Sequence, residues 1–350
     1  MRAIKLGSHL VGDGCVPYVI AEIGSNHNGD MALCRKLIDA AAQAGAHAVK
    51  FQSWNEHTLI AREEYEANTQ YSDKKKHFGS LLEMVRAYQL TPEQHLEARD
   101  YCRERGIAFA SSCFSPEEVD LLAGMGVPFL KIASMDITHP LLLRYAARTK
   151  LPIVLSTGMA TLGEIETAVD IMRAEGNNDI VLLHCVSIYP PDYQTINLRN
   201  ISSLKAAFDV PVGFSDHTIG TTIPLAAVAL GACIIEKHFT LDKDMEGWDH
   251  AISANPTELS IIVGEGRNVF ESLGTAQRSV SAAEFAKRTK FRRSLVAKRD
   301  LKKGHVLSQA DLDAKRPGSG IGADQVYSAV GRTLARDLVD DQVIRWSDLV

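Results

Sequence analysis

Short runs of β-branched and apolar residues recur along the chain, each followed by a longer stretch in which apolar positions return every third or fourth residue. The runs that read as strands are "YVIAEIG" (18–24), "HAVKFQS" (47–53), "IAFASS" (107–112), "FLKIAS" (129–134), "PIVLST" (152–157), "DIVLLHCV" (179–186), "PVGFS" (211–215) and "ACIIEKH" (232–238). Between them, "DMALCRKLIDAAAQAG", "TPEQHLEARDYCRERG" and "TLGEIETAVDIMRAEG" carry a helical period and end on the glycine that commonly follows a helix. Eight strands alternating with helices over about 270 residues predict an α/β fold of the TIM (β/α)8 barrel type. A doubly wound sheet is the alternative, but "EIGSNHNGD" after the first strand lacks the GxGxxG dinucleotide turn.

The rhythm breaks twice. "WNEHTLIAREEYEANTQYSDKKKHFG", within residues 54–90, is polar and long for a strand-to-helix connection and predicts a lid or excursion over the strand ends. Its "SDKKKHF" reads as a solvated charge run. After about residue 275 the chain turns charged and poor in apolar residues, then shows short strands and tight turns from residue 292. The expected organisation is a barrel over 1–275, a linker over 276–291 and a small module over 292–350.

Composition narrows the function. With 45% hydrophobic and 23% charged residues in 350, the chain has the make-up of a soluble globular protein. A net charge of −5 without a long basic tract argues against a nucleic-acid partner. Six scattered cysteines without a CxxC fit reduced thiols, and hence a cytoplasmic protein. The start "MRAIKLGSHLVGDG" lacks the apolar stretch of a signal peptide, and no segment reaches the length of a membrane span.

Barrels of this type do their chemistry at the C-terminal ends of the strands. Reading each strand at that end gives Glu22; Lys50 and Gln52; Ser111 and Ser112; Lys131 and Ser134; Ser156 and Thr157; His184, Ser187 and Tyr189; Ser215, Asp216 and His217; and Glu236 and His238. Lys50 and Lys131 lie in apolar surroundings, so each needs an anion nearby. A structural salt bridge would serve. Together with Ser112, Ser134 and Ser156, the two lysines would also suit a phosphate and a carboxylate. His217 and His238, with Asp216 and Glu236 alongside, could hold a divalent ion such as Mn²⁺, Co²⁺, Fe²⁺ or Mg²⁺ whose other positions go to water or substrate. Glu22, Glu236 and Asp249 are candidates for moving protons and gripping hydroxyls.

Seven motifs in order carry a resemblance: "IAEIGSNHNGD", "VKFQ", "KIAS", "LSTGMA", "LHCVSIYP", "GFSDHT" and "EKHFTLD". In these the chain resembles the sialic acid synthase family, which takes in N-acetylneuraminate, legionaminate and pseudaminate synthases and SpsE-like spore-coat proteins. The tail from 292 resembles the antifreeze-like (SAF) module that follows the barrel there. The resemblance implies condensation of phosphoenolpyruvate with an open-chain N-acylated mannosamine-type sugar, giving a nine-carbon 2-keto acid and phosphate. It further implies that Lys50, Ser112, Lys131, Ser134 and Ser156 bind phosphoenolpyruvate and that His217 and His238 ligate Mn²⁺, with Mg²⁺ or Co²⁺ as substitutes. Ser187, Tyr189, Glu236 and Asp249 would contact the sugar or assist proton transfer, and Glu22 would meet substrates and water. Arg316 in "KRPGSG" would reach into a partner's barrel, making a domain-swapped homodimer.

Three positions depart from the family pattern: Ser187 in place of asparagine, and Cys113 and Trp248 each in place of proline. All three are expected on the sugar side, where Trp248 would either stack on the acceptor or pack a loop. Two other readings use the same residues: a class I aldolase with Lys131 or Lys50 as Schiff-base nucleophile, and a non-catalytic carbohydrate-binding or assembly protein.

Overall fold

The computed structural model describes residues 2–73 and 76–350. The chain opens with a hairpin, β1 (Ile4–Leu6) and β2 (His9–Val11), followed by β3 (Tyr18–Gly24), α1 (Met31–Gln43) and β4 (Ala48–Ser53). An excursion then brings α2 (Arg62–Ala67), a second hairpin of β5 (Tyr71–Asp73) and β6 (Lys76–Gly79), and α3 (Leu81–Tyr88). The barrel resumes through α4 (Pro92–Arg105) into β7 (Ala108–Cys113), β8 (Leu130–Ile132), β9 (Ile153–Ser156), β10 (Ile180–Cys185), β11 (Val212–Asp216) and β12 (Ile234–His238). Strands β3, β4 and β7 to β12 are parallel and close in chain order. The expected barrel is the one observed, and the doubly wound alternative falls. Among the described residues no helix is long and apolar enough to cross a membrane.

Local sequence sets where the helices begin. Thr91 before α4 caps it reciprocally with Gln94, and Ser80 before α3 does the same with Glu83, each pair satisfying two backbone N–H groups that the first turn leaves open. Packing forms two layers. Val19, Ala21, Val49, Phe51, Phe109 and Ile132 face outward to the helices. Tyr18, Ile20, Ala48, Ala110, Phe129, Val154, Val181 and Ile234 fill the interior, with Ile4, Leu6 and Val11 of the first hairpin packed on them. The strand readings missed that hairpin, whose three-residue strands are too short for a period to show. Gly213 belongs to the interior because of space: a Cβ there would lie 2.6 Å from the Ile234 carbonyl oxygen.

The chain divides into two compact units, residues up to Gly274 and from Thr275 on. The second unit begins with two short helices, α5 (Ala282–Ala286) and α6 (Arg288–Phe291), where the sequence suggested only a linker. It then has a ladder of β13 (Ser294–Ala297) with β14 (Leu312–Lys315). Its centre is a repeat. "RDLKKGHVLSQADL" (299–312) and "RDLVDDQVIRWSDL" (336–349) align residue for residue, and Leu301 and Leu338 exchange N–H···O bonds of 2.8 and 2.9 Å between the halves. Gly304 and Asp341, equivalent in the two halves, share a left-handed turn conformation (φ +85° and +63°). Each half ends on a buried aspartate. Asp311 accepts from the Ser308 amide (3.0 Å), Ser308 Oγ (2.7 Å) and Arg299 (2.6 Å). Asp348 accepts from the Arg345 amide (2.8 Å) and Arg336 (2.6 Å). His305, Ser308 and Arg299 hold the Asp311 carboxyl well below the usual carboxylate range.

A unit this small has little apolar surface to bury, so these caps matter to its stability. Asp311→Ala is expected to cost about 1–3 kcal/mol by stranding the Ser308 amide. In hydrogen exchange on the whole chain, amides of 295–349 should speed up by about tenfold or more while those of the barrel strands hold.

Candidate active site

Period-two alternation decides which side chains enter the barrel. Above the apolar interior, the next inward position on six of the eight strands is a charged or hydroxyl residue. Glu22 follows Ile20, Lys50 follows Ala48, Ser112 follows Ala110, Lys131 follows Phe129, Ser156 follows Val154 and Glu236 follows Ile234. Strand register brings these residues together: Glu22 lies opposite Lys50, Ser112 opposite Lys131, and Ser215 opposite Glu236. They form the floor of a chamber of about 900 Å³ at the C-terminal ends of the strands.

The floor is a buried cluster of two cations and two carboxyls. Lys50 Nζ sits 2.6 Å from Glu22 Oε2 and 4.0 Å from Glu236 Oε2, and donates to Ser112 Oγ at 3.1 Å. Gln52 Nε2 donates to Glu22 Oε1 at 2.9 Å, and Ser215 Oγ to Glu236 Oε1 at 3.0 Å. Lys131 Nζ donates to Ser156 Oγ (2.7 Å) and the Ile132 carbonyl (3.0 Å), and its nearest carboxylate among the described residues is Glu236 at 3.9 Å. Compensation is therefore uneven. Burial pushes the Glu22 carboxyl up despite Lys50, whereas for Glu236 the burial effect is outweighed by Lys131, Lys50 and Ser215, and its pKa falls. Burial likewise lowers Lys131, whereas at Lys50 the two carboxylates outweigh it and raise the pKa. Beside Lys131, Ser134 Oγ accepts from the Gly158 amide at 3.0 Å. A Cβ on Gly158 would come within 2.3 Å of Ser187 Oγ and 2.8 Å of Ser134 Oγ, so glycine keeps this hydroxyl-lined hollow open.

The two imidazoles enter from β12 and from just past β11. Their ring centroids are 5.6 Å apart, and Tyr189 packs on His217 at 4.0 Å. His217 Nδ1 lies 2.8 Å from the Val186 carbonyl, which can only accept, so Nδ1 carries a proton; burial opposes a charged ring here, but Cys185, that carbonyl and Asp216 outweigh it and raise the pKa. His238 Nδ1 has no hydrogen-bond partner among the described residues and lies 3.7 Å from Asp249 Oδ2. Burial and the neighbouring cations push His238 well below its ordinary value, so it is neutral. The two rings enter one chamber, His238 neutral and His217 with its Nδ1 committed to the Val186 carbonyl, and they fit a divalent ion that would take their remaining ring nitrogens in place of protons. Among the described residues no third His, Cys, Asp or Glu completes a cluster, so water or substrate oxygens would fill the remaining positions.

Of the residues singled out in the sequence, Glu22, Lys50, Ser112, Lys131, Ser134, Ser156, Ser187, Tyr189, His217, Glu236, His238 and Asp249 all line this chamber. Arg316 lies in the second unit, exposed, its guanidinium 5.2 Å from the Phe291 ring centroid. Several strand-end residues face away from the chamber. Asp216 is not alongside the histidines: Ser215 and His217 take the inward positions, and Asp216 pairs with Lys237 at 2.6 Å behind the barrel wall. Ser111 bonds Ser53 (2.7 Å), and His184 bonds the Ile196 carbonyl (2.6 Å). Cys113 is not on the sugar side: it is fully buried, its thiol pushed up to about 12 by that burial and pointed at the Lys131 carbonyl (3.7 Å). Ser187 and Trp248 do line the chamber. In the excursion, Lys74 and Lys75 of the expected charge run lie outside the described residues.

The sequence reading passed over Cys185 and the excursion's apolar face. Cys185 is the inward residue ending β10, beside His217 and Ser134; burial opposes its ionisation, but those two and Lys131 outweigh it and lower the pKa. Alternation from Val181 and Leu183 would have found it. Leu81, Met84 and Val85 of α3 join Trp54, Leu59, Ile60 and Trp248 as one wall of the chamber. The i, i+3, i+4 spacing in "LLEMVRAY" was the available signal.

Residues 37–278 match the model of the NeuB family, and residues 292–350 that of the SAF domain. The chain belongs to the NeuB family. This NeuB-family chain is similar to the N,N′-diacetyllegionaminic acid synthase of Campylobacter jejuni, with 42% identity over 93% of the chain and 98% of that protein. Among solved structures it resembles the N-acetylneuraminic acid synthetase of Leptospira borgpetersenii (TM-score 0.74, 37% identity, covering 82% of this chain and 95% of that one). It also resembles the spore coat polysaccharide biosynthesis protein SpsE of Bacillus subtilis (TM-score 0.68, 34% identity, covering 100% and 99%).

The pair behind the wall is separable from the chamber. Lys237→Met strands Asp216, whose side chain is fully buried, and should cost about 3–5 kcal/mol. Adding Asp216→Leu should recover most of that loss. The denaturant midpoints of the single and double variants provide the check.

Proposed function

We propose that this chain condenses phosphoenolpyruvate with an open-chain N-acylated mannosamine-type sugar, releasing phosphate and forming a nine-carbon 2-keto acid. The observation that carries the reading is the under-compensated Lys131, buried with Ser134, Ser156 and the Gly158 amide in the chamber that two imidazoles also enter. A small, densely charged anion satisfies the cation, and the open floor leaves room for a second substrate. The similarity to nonulosonate synthases points the same way.

Each group then has work to do. Lys131, Ser134, Ser156 and the Gly158 amide hold the anionic groups of phosphoenolpyruvate, with Lys50 and Ser112 on the other side. The enol π pair at C3 forms the new bond to the aldehyde carbon, and the aldehyde oxygen takes up a proton. Glu22, held toward its protonated form, is placed to manage that proton. Water adds at C2 and gives up its proton, for which the Glu236 carboxylate is the acceptor at hand. The tetrahedral product loses phosphate as C2 becomes a carbonyl, and Lys131 and Lys50 steady the departing charge. Tyr189, Ser187 and Asp249 are assigned to the sugar. His217 and His238 would hold a divalent ion, Mn²⁺ first with Mg²⁺ or Co²⁺ as alternatives, whose chemistry when bound is polarisation of the aldehyde oxygen. Arg316 is assigned to the acceptor site of a partner subunit in a domain-swapped homodimer.

The lowered pKa of Lys131 favours one other reading, a Schiff-base aldolase. Borohydride with a keto acid would then label Lys131; the synthase reading expects no adduct. Phosphate release should require both phosphoenolpyruvate and a 2-acylamino hexose, stop with EDTA and return with Mn²⁺. His238→Ala should reduce turnover by about 10²-fold or more with the circular dichroism unchanged. Absence of phosphate release across a panel of such sugars would overturn the proposal. Mixing Arg316→Ala with His238→Ala subunits should restore activity if the arginine acts across the dimer, and leave the mixture inactive if it does not.

A further inference from the structure

Behind the barrel wall, facing away from the chamber, three side chains form one hydrogen-bonded chain. His95, in the first turn of α4, has Nδ1 2.9 Å from the Thr91 carbonyl and Nε2 2.7 Å from Ser53 Oγ at the end of β4. Ser53 Oγ lies in turn 2.7 Å from Ser111 Oγ in β7. All three residues are at most 2% exposed. The Thr91 carbonyl can only accept, so Nδ1 carries the proton. Burial holds the ring below its ordinary pKa and leaves Nε2 bare, ready to accept from the Ser53 hydroxyl. Ser53 has one proton to give, so Ser111 donates to it at 2.7 Å rather than to the Ser112 carbonyl at 3.3 Å. A serine against a histidine suggests a nucleophile and its base, but no substrate reaches atoms this buried, and the far end stops on a carbonyl. The chain has nowhere to send a proton. What it can do is hold positions.

Its members adjoin the floor. Ser53 follows Gln52, which donates to Glu22 at 2.9 Å, and Ser111 precedes Ser112, which accepts from Lys50 at 3.1 Å. Gln52 and Ser112 are register partners between β4 and β7, so a displacement of either strand end moves both. His95 supplies the third anchor: the Thr91 carbonyl it holds belongs to the cap of α4, where the chain returns from the excursion to the barrel. We propose that His95, Ser53 and Ser111 are positioning residues, whose hydrogen bonds lock the ends of β4 and β7 and, through Gln52 and Ser112, set Lys50 for phosphoenolpyruvate. This rests on the synthase reading and deepens it.

A binding group moved by about 1 Å loses much of its effect, so the consequence should be kinetic and confined to one substrate. The test uses the whole chain with Mn²⁺ and follows phosphate release. Ser53→Ala should lower kcat/KM for phosphoenolpyruvate by about 10- to 100-fold, while the KM for the 2-acylamino hexose stays within about twofold. His95→Leu should do the same, and His95→Gln, which keeps an acceptor for Ser53, should recover most of the loss. Circular dichroism checks the fold of each variant, and Ser53→Ala, the smallest change, carries the test if His95→Leu does not fold. Unaltered phosphoenolpyruvate kinetics in folded Ser53→Ala would reduce the chain to packing and overturn the inference, as would an equal rise in both KM values. Neither result touches the synthase reading. No phosphate release by the unaltered chain with any such sugar would sink that reading, and the inference with it.

Discussion

Two ammonium groups and two carboxyls share the upper interior of the barrel, and their mutual neutralisation is the condition for everything built above them. An isolated ion in that position would be expelled or would change its protonation. Strand register prevents this. Glu22 opposite Lys50 makes a contact of 2.6 Å, while Glu236 stands 4.0 and 3.9 Å from Lys50 and Lys131. Four formal charges cancel, but the local balance does not, because Glu22 is committed to Lys50 and Glu236 is shared. Lys131 is left as a site of positive potential lined by hydroxyls. Positive potential beside hydroxyls, the setting an anion would need, is therefore a consequence of how the charges are distributed.

The same alternation explains what could be read from the chain. Parallel strands buried on both faces appear as continuous apolar runs, and their order gave the barrel and its polar rim. The chamber residues were legible because they end those runs. The errors came from treating every polar residue near a strand end as equivalent. Ser111, His184 and Asp216 sit one step out of phase with Ser112, Cys185 and Ser215, and a single step turns a side chain from the chamber to the helices. Had the phase been followed from Ile20, Ala48 and Ile234, Asp216 would have been placed with Lys237, its cross-strand partner, and Cys185 would have entered the list. Cys113 fails for the same reason, being one step from Ser112.

The second unit was legible in composition but not in design. Its turns and short strands were visible, whereas the equivalence of Arg299–Leu312 with Arg336–Leu349 lies in spacing. Hydrophobic period does not reveal it, because most residues are in turns. What the repeat conserves physically is a left-handed turn at Gly304 or Asp341 and a buried aspartate that closes the following turn. These features organise backbone groups in a unit too small to depend on burial alone.

The chamber's two sides answer to different constraints. A change of one floor residue disturbs a charge balance that four strands maintain together, so substitution there endangers the fold as well as the chemistry. The wall comes from α3, the loop after β4 and the loop around Trp248, where exchange of one apolar side chain for another alters shape without exposing a buried charge. Ser187 and Trp248, the departures from the family pattern that line the chamber, both lie on loops. The shape of the wall can therefore vary while the charged floor and the imidazole pair stay fixed, because they belong to separate parts of the architecture.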